Sequence, residues 1–82
     1  MDRYERIVRL HRLLRHNRTG VSLEKLMDEI EASRATVYRD IAFLRDALGA
    51  PIETDADTHR FRYSSDEDHS FELPGLWLSP DE

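Results

Sequence analysis

Two serines in the front half of this 82-residue chain constrain its fold more than any other feature. Ser22 and Ser33 each stand directly before a short run of helically spaced apolar residues. A serine hydroxyl in that place accepts a backbone N–H that the first turn of a helix leaves unpaired. After Ser22, the spacing of Leu23, Leu26, Met27 and Ile30 predicts an amphipathic helix of about two turns. Only Glu31 and Ala32 separate it from the second serine. After Ser33, Val37, Ile41, Leu44 and Leu48 predict a longer helix over about 34–48. Gly49 and then Pro51 stop it in the order helices prefer. A helix, a tight connection and a second capped helix have the outline of a helix-turn-helix. An ordinary three-helix bundle has the same pattern.

A further helix precedes this pair. Asp2 and Glu5 stand at capping-box spacing. Tyr4, Ile7, Leu10, His11 and Leu14 then share one face, and residues 17–20 carry stop signals. Arg3, Arg6, Arg9, Arg12, Arg15 and Arg18 recur every third residue. At about 100° per residue such a row winds around the helix, so some of these arginines must flank the apolar face and lay their stems over it. Behind the third helix, Pro51 to Thr54 and His59 to Tyr63 read as two strands. A turn centred on Ala56 and Asp57 pairs Ile52 with Phe61 on one side of the ribbon and Glu53 with Arg60 on the other. The expected fold is therefore mostly α with a small β-hairpin: a three-helix winged helix-turn-helix, the hairpin being the wing.

Length and composition exclude several classes. A chain of 82 residues supports one modest core, with no room for a deep, water-excluding active site. Cysteine is absent, which removes disulfides and thiolate metal sites. No apolar run approaches the roughly 18 residues of a membrane span, and the first ten residues alternate charged and apolar side chains, unlike a signal peptide. A soluble cytoplasmic (nucleoid-associated) protein is expected. His11 and His16 are five apart, off the spacing that points two imidazoles at one ion, so no metal is expected. His11, on the apolar face, reads as a packed histidine. No glycine-rich phosphate loop and no nucleophile–base pair is present, so neither an enzyme nor a cofactor is expected.

The net charge of −5 divides unevenly. Residues 1–48 hold ten Lys/Arg against eight Asp/Glu, whereas residues 49–82 hold two Arg against nine acids. Positive charge sits on the helices and negative charge behind them, so the asymmetry is more informative than the total. Residues 64–70 are polar and acidic and read as a solvated linker; residues 71–78 are apolar and turn-forming. Ser79, Pro80 and Glu82 have the spacing of a helix start, which predicts that the chain continues into a further domain. The expected organisation is a winged helix-turn-helix over 1–63 and, over 64–82, an acidic linker with the start of a C-terminal domain.

The block from Leu26 to Leu44 carries a resemblance. Ser33-Arg34-Ala35-Thr36-Val37-Tyr38-Arg39-Asp40-Ile41, with Leu44 after it, resembles the DeoR-like winged helix-turn-helix, whose Ser-x-x-Thr-(Val or Ile)-x-Arg-Asp-(Ile or Leu)-x-x-Leu core is present in full. With Glu31 and Ala32 before Ser33, it looks most like the N-terminal domain of WYL-domain bacterial transcriptional regulators. Gly49-Ala50-Pro51-Ile52 resembles the start of that family's wing, and Leu73-Pro74-Gly75-Leu76-Trp77-Leu78-Ser79 its approach to the effector domain. Such wings are often glycine-rich; Asp55-Ala56-Asp57-Thr58 is acidic and has none. The resemblance implies sequence-specific binding of double-stranded DNA for transcription regulation. It also implies a homodimer formed through a WYL-like C-terminal domain.

Recognition helices read bases from their N-terminal turns. That selects Arg34, Ala35, Thr36, Tyr38 and Arg39 as candidate base contacts. Arg34 or Arg39 suits guanine O6 and N7, and Ala35 or the Thr36 methyl suits a thymine methyl. Ser22, Ser33, Arg60 and Arg62 are the candidate phosphate contacts, with Arg15, Arg18 and Lys25 at the periphery. The competing roles are an ion pair for Arg39, packing on the wing for Tyr38, capping for the serines and a Glu53 pair for Arg60. Asp40 would repel phosphate, so it is expected to turn inward and pair with an arginine of the first helix. The rival function is a winged helix used for protein contact, which the acidic total also fits.

Overall fold

The computed structural model describes residues 1–64 and Leu73. Three helices and a two-stranded antiparallel hairpin follow in the order α1 (Arg3–His16), α2 (Leu23–Ile30), α3 (Arg34–Ala42), a π-helical turn (Phe43–Ala47), β1 (Ile52–Thr54) and β2 (Phe61–Tyr63). This is a winged helix-turn-helix.

Each helix starts where its cap residue requires. The Asp2 carboxylate accepts the Glu5 N–H at 2.9 Å, and the Glu5 side chain accepts the Asp2 N–H, completing the capping box. Ser22 accepts the Lys25 N–H at 3.1 Å, and Ser33 accepts the Thr36 N–H at 3.2 Å. Between α2 and α3 the chain reverses on Glu31, a non-glycine residue at φ 54°. Ala32 N–H, bonded to the Met27 carbonyl at 3.0 Å, closes that turn.

The core is the sum of the inward faces. Ile7, Leu10 and Leu14 of α1, Leu26 and Ile30 of α2, and Val37, Ile41 and Leu44 beyond the second turn are all at most 2% exposed. Val21, Leu23, Ala50 and Phe61 complete it, and Leu73 joins it at 3% exposure although it lies in the stretch read as linker and tail. The other expectations for 65–72 and 74–82, the acidic linker, the apolar stretch and the helix start, lie outside the described residues. Tyr4 is only half-buried.

Two expectations about the second half are corrected. The third helix does not continue as an α-helix to residue 48. It gives way after Ala42 to the π turn, in which Leu48 N–H reaches the Phe43 carbonyl at 3.3 Å. The extra residue per turn rotates the apolar face. Leu48 is therefore half-buried, and Ala50 takes the interior place, with its N–H on the Leu44 carbonyl at 2.9 Å.

The hairpin register is shifted by two. Ile52 pairs with Tyr63, not Phe61; Glu53 pairs with Arg62, not Arg60; Thr54 pairs with Phe61. The cause is the turn. Asp55 Oδ1 accepts the N–H groups of both Asp57 (2.8 Å) and Thr58 (3.0 Å), which makes a side-chain-closed loop longer than the expected two-residue turn. His59, at φ 61°, bends the chain back, and the Asp55 N–H meets the Arg60 carbonyl at 2.8 Å. Because the slip is two residues, both faces of the ribbon keep their expected sides.

The wing is also tied to the helices. Val21 and Phe61 exchange both backbone hydrogen bonds, at 2.8 and 2.9 Å, so the residues leading into α2 act as a third short strand beside β2. Gly20 allows this. Its φ is 109°, and a β-carbon there would stand 2.7 Å from the Arg60 β-carbon.

Candidate nucleic-acid interface

The outer face of α3 follows from its inner one. Val37, Asp40 and Ile41 are buried, which turns Arg34, Ala35, Tyr38 and Arg39 to solvent. Among the described residues neither Arg34 nor Arg39 has an ion pair. The competing ion pair for Arg39 is therefore not seen. Two guanidinium groups without an acidic partner among the described residues thus stand on the first turns of the exposed side of α3, about 140° apart around the helix axis with Ala35 between them.

Thr36 and Ser33 are placed differently from that pair. Ser33 Oγ donates to Thr36 Oγ1 at 3.2 Å while accepting the Thr36 N–H. The Thr36 hydroxyl is engaged in the cap, and the residue is half-buried. Ser33 and Ser22 both cap, so what their helices offer an anion is the remaining first-turn N–H groups. Tyr38 shows the packing on the wing that was its competing role. Its ring stands edge-on to Phe61 of the wing, centroids 6.1 Å apart, yet the residue is 49% exposed.

The wing arginines differ from one another. Arg62 is half-buried and bonded to the Asp55 carboxylate at 3.2 Å, with Glu53 4.0 Å away. Its charge is largely answered within the wing. Arg60 is exposed and, among the described residues, donates to the Gly20 carbonyl at 3.4 Å with no acidic partner. The carboxyl of Asp55 is held below the usual carboxylate range by the Thr58 and Asp57 N–H groups, and further by Arg62. Of the peripheral candidates, Lys25 pairs with Glu29 at 3.5 Å, while Arg15 and Arg18 are exposed on and just beyond the end of α1.

Asp40 is buried as expected, at 2% exposure, and its partner on α1 is Arg6. Arg6 Nε donates to Oδ2 at 2.6 Å and Nη2 to Oδ1 at 3.4 Å. The hydrogen bond to Asp40 raises the guanidinium pKa above its already high ordinary value. This fork locks α3 to α1 and so sets the angle at which Arg34 and Arg39 are presented. His11 is the packed histidine that its position implied: it is 7% exposed and hydrogen-bonded to the Tyr63 hydroxyl at 2.8 Å. Burial pushes the Tyr63 pKa well above its ordinary value.

Several contacts had no signature in the sequence. Arg3 lies over the Phe43 ring, 4.0 Å from its centroid. A cleft also opens between the start of α2, the outer face of α3 and the wing, with Ser22, Arg34, Tyr38, Thr58 and His59 on its walls. Nothing in the sequence singled out that cleft, since the left-handed backbone at His59 that shapes its wing side has no recognisable spacing. Among the described residues no group of three or more His, Asp or Glu is placed to hold a metal ion, and no helix is long and apolar enough to cross a membrane.

Comparison with known families matches residues 6–58 to the HTH domain family. The match spans all three helices from Arg6 onward and the first strand of the wing. No curated protein and no solved structure gave a significant match.

Proposed function

The chain belongs to the HTH domain family, the helix-turn-helix domains, and from that premise we propose that it binds double-stranded DNA sequence-specifically as the N-terminal domain of a transcriptional regulator. The recognition helix, α3 with its π turn, enters the major groove, and α2 crosses the backbone beside it. The observation that carries this is the pair Arg34 and Arg39, exposed together without an acidic partner among the described residues on a helix whose opposite face is the core.

Arg34 and Arg39 read guanine edges bidentately. Ala35 and the Thr36 methyl contact thymine methyls, and the Tyr38 hydroxyl serves a base or a phosphate. The first-turn N–H groups behind Ser22 and Ser33 hold phosphates, joined by Arg60 and, more weakly because of its acidic partners, Arg62. By its resemblance to DeoR-like and WYL-domain regulators, the chain is the reading head of a bacterial regulator that dimerises through a C-terminal WYL-like domain. Two heads on half-sites about one helical turn apart supply the affinity that one lacks.

The rival reading, a protein-contact module, is supported by the outer face of α2. There Glu24, Asp28 and Glu31 are exposed around half-buried Met27. Selection from a random duplex pool, followed by titration, separates the two. The DNA reading expects an enriched sequence, and Arg39→Ala is expected to lose about 1–3 kcal/mol of specific affinity and relax one base position. If no sequence is enriched and Arg39→Ala changes nothing, the protein-contact reading stands instead.

A further inference from the structure

The first half of the arginine row on α1 is turned to the helix-turn-helix itself. Arg6 forks onto Asp40 of α3, Nε to Oδ2 at 2.6 Å. Three residues earlier, Arg3 lies over the Phe43 ring at the start of the π turn, 4.0 Å from its centroid. Three residues later, Arg9 Nη1 donates to the Glu29 carbonyl of α2 at 3.5 Å, and the Glu29 carboxylate is 3.8 Å away. Arg3 and Arg6 thus meet Phe43 and Asp40 in reverse chain order, at matching three-residue spacing. Phe43 is half-buried and packs on the core, so its ring is a fixed seat for the guanidinium.

A single contact between two helices is a pivot, whereas two contacts set apart along both axes remove the rotation. The two seats here are about 4.5 Å apart along each axis, at about 1.5 Å per residue. As a polar contact, the Asp40 fork alone would act as a hinge. Arg34 lies six residues before Asp40 and Phe43 three after it, so the two arms differ in length by a factor of about two. A tilt of about 15° at Asp40 would carry the Arg34 backbone about 2 Å, whereas recognition groups must be held to roughly 0.5 Å and 10–20°. A shift at Phe43 is therefore magnified at the N-terminal turn of α3.

Building on the DNA-binding reading, we infer that Arg3 is a positioning residue for base recognition: held on Phe43, it completes with Arg6 a two-point clamp that fixes the tilt of α3 and so the placement of Arg34 and Arg39 in the groove. Arg9 draws α2 to the same strut, more loosely, because its side chain is 50% exposed. Arg3 itself touches neither base nor phosphate. It therefore acts on discrimination between sequences and leaves the non-specific, phosphate-borne part of binding alone.

The experiment compares affinity for the sequence selected from a random duplex pool with affinity for a mixed-sequence duplex at the same salt. Arg3→Gln is expected to lower that ratio roughly two- to fivefold, the scale of one exposed cation–π contact, with the salt slope unchanged. Arg3→Lys keeps the cation and is expected to keep most of the ratio. Phe43→Leu is expected to give the same loss, and adding Arg3→Gln to it to cost nothing further, since the pair acts as one unit. Residual dipolar couplings of the free chain supply a readout without DNA: in Arg3→Gln the amide vectors of α3 are expected to turn relative to those of α1. Unchanged couplings, an unchanged ratio (whatever the melting temperature does) or additive losses in the double variant overturn the inference and leave the DNA reading intact. So does a salt slope that drops by about one in Arg3→Gln, which marks a direct phosphate contact. If the unsubstituted chain selects no sequence, the DNA reading falls and the inference falls with it.

Discussion

Arg39 and Asp40 are neighbours on one helix with opposite environments. A step of about 100° separates them. Arg39 faces solvent, and Asp40 lies 2% exposed against Arg6. A buried carboxylate is tolerated only when its lone pairs are met, and the guanidinium fork meets both oxygens. Asp40→Asn removes the charge but keeps the shape. It is expected to cost about 1–3 kcal/mol, because Arg6 is left without its counter-charge. A melting curve measures that loss, and weaker DNA binding should accompany it as the angle between α1 and α3 relaxes. Unchanged melting temperature and affinity would remove the geometric role. The inward turn of Asp40 was legible because a carboxylate in the middle of a helix read as facing phosphate has no good outward position. Which of the helix arginines met it was not legible, since six of them share a three-residue spacing.

The wing is the element whose local chemistry most altered the expected picture. Its faces were legible from alternation, but its register was not, because a side chain rather than the backbone closes the turn. Asp55 makes the wing sensitive to acid. A carboxylate whose folded-state pKa is depressed adds stability that is fully present above its unfolded value, about 3.9, and is lost as pH falls through the folded one. The wing turn is therefore expected to loosen below about pH 4, seen as collapse of the Asp57 and Thr58 amide shifts in NMR. Asp55→Asn should remove the acid response together with the turn's stability. Gly20 is the second lever on this element. At φ 109° and with Arg60 where its β-carbon would lie, Gly20→Ala is both strained and obstructed. A loss of roughly 1–3 kcal/mol is expected on chemical denaturation, with the Val21–Phe61 bridge exchanging its amide hydrogens fastest. In the sequence Gly20 reads only as a helix stop; its contact with a residue 40 positions later exists only in three dimensions.

At the scale of the whole molecule, the net charge of −5 is a poor guide to the surface that matters. Arg34, Arg39 and Arg60 are exposed on the side formed by α3 and the wing, while Glu24, Asp28 and Glu31 flank it on α2. A single domain so balanced is expected to bind a half-site at micromolar concentration or weaker, with log affinity falling by about 0.9 per phosphate neutralised as log salt rises. Titration at several salt concentrations measures this, and a slope near zero would argue against phosphate contacts. The sequence by itself determined the three capped helices, their inward faces, the existence of a hairpin and the candidate reading face. These follow from caps and periodicity, which act over a few residues. Only the tertiary structure decided the Arg6–Asp40 lock, the π turn that replaces Leu48 by Ala50, the two-residue shift of the wing, the docking of Gly20 under Arg60 and the His59 cleft. Each of these is a choice among locally equivalent options, and it is made by what the rest of the chain brings alongside.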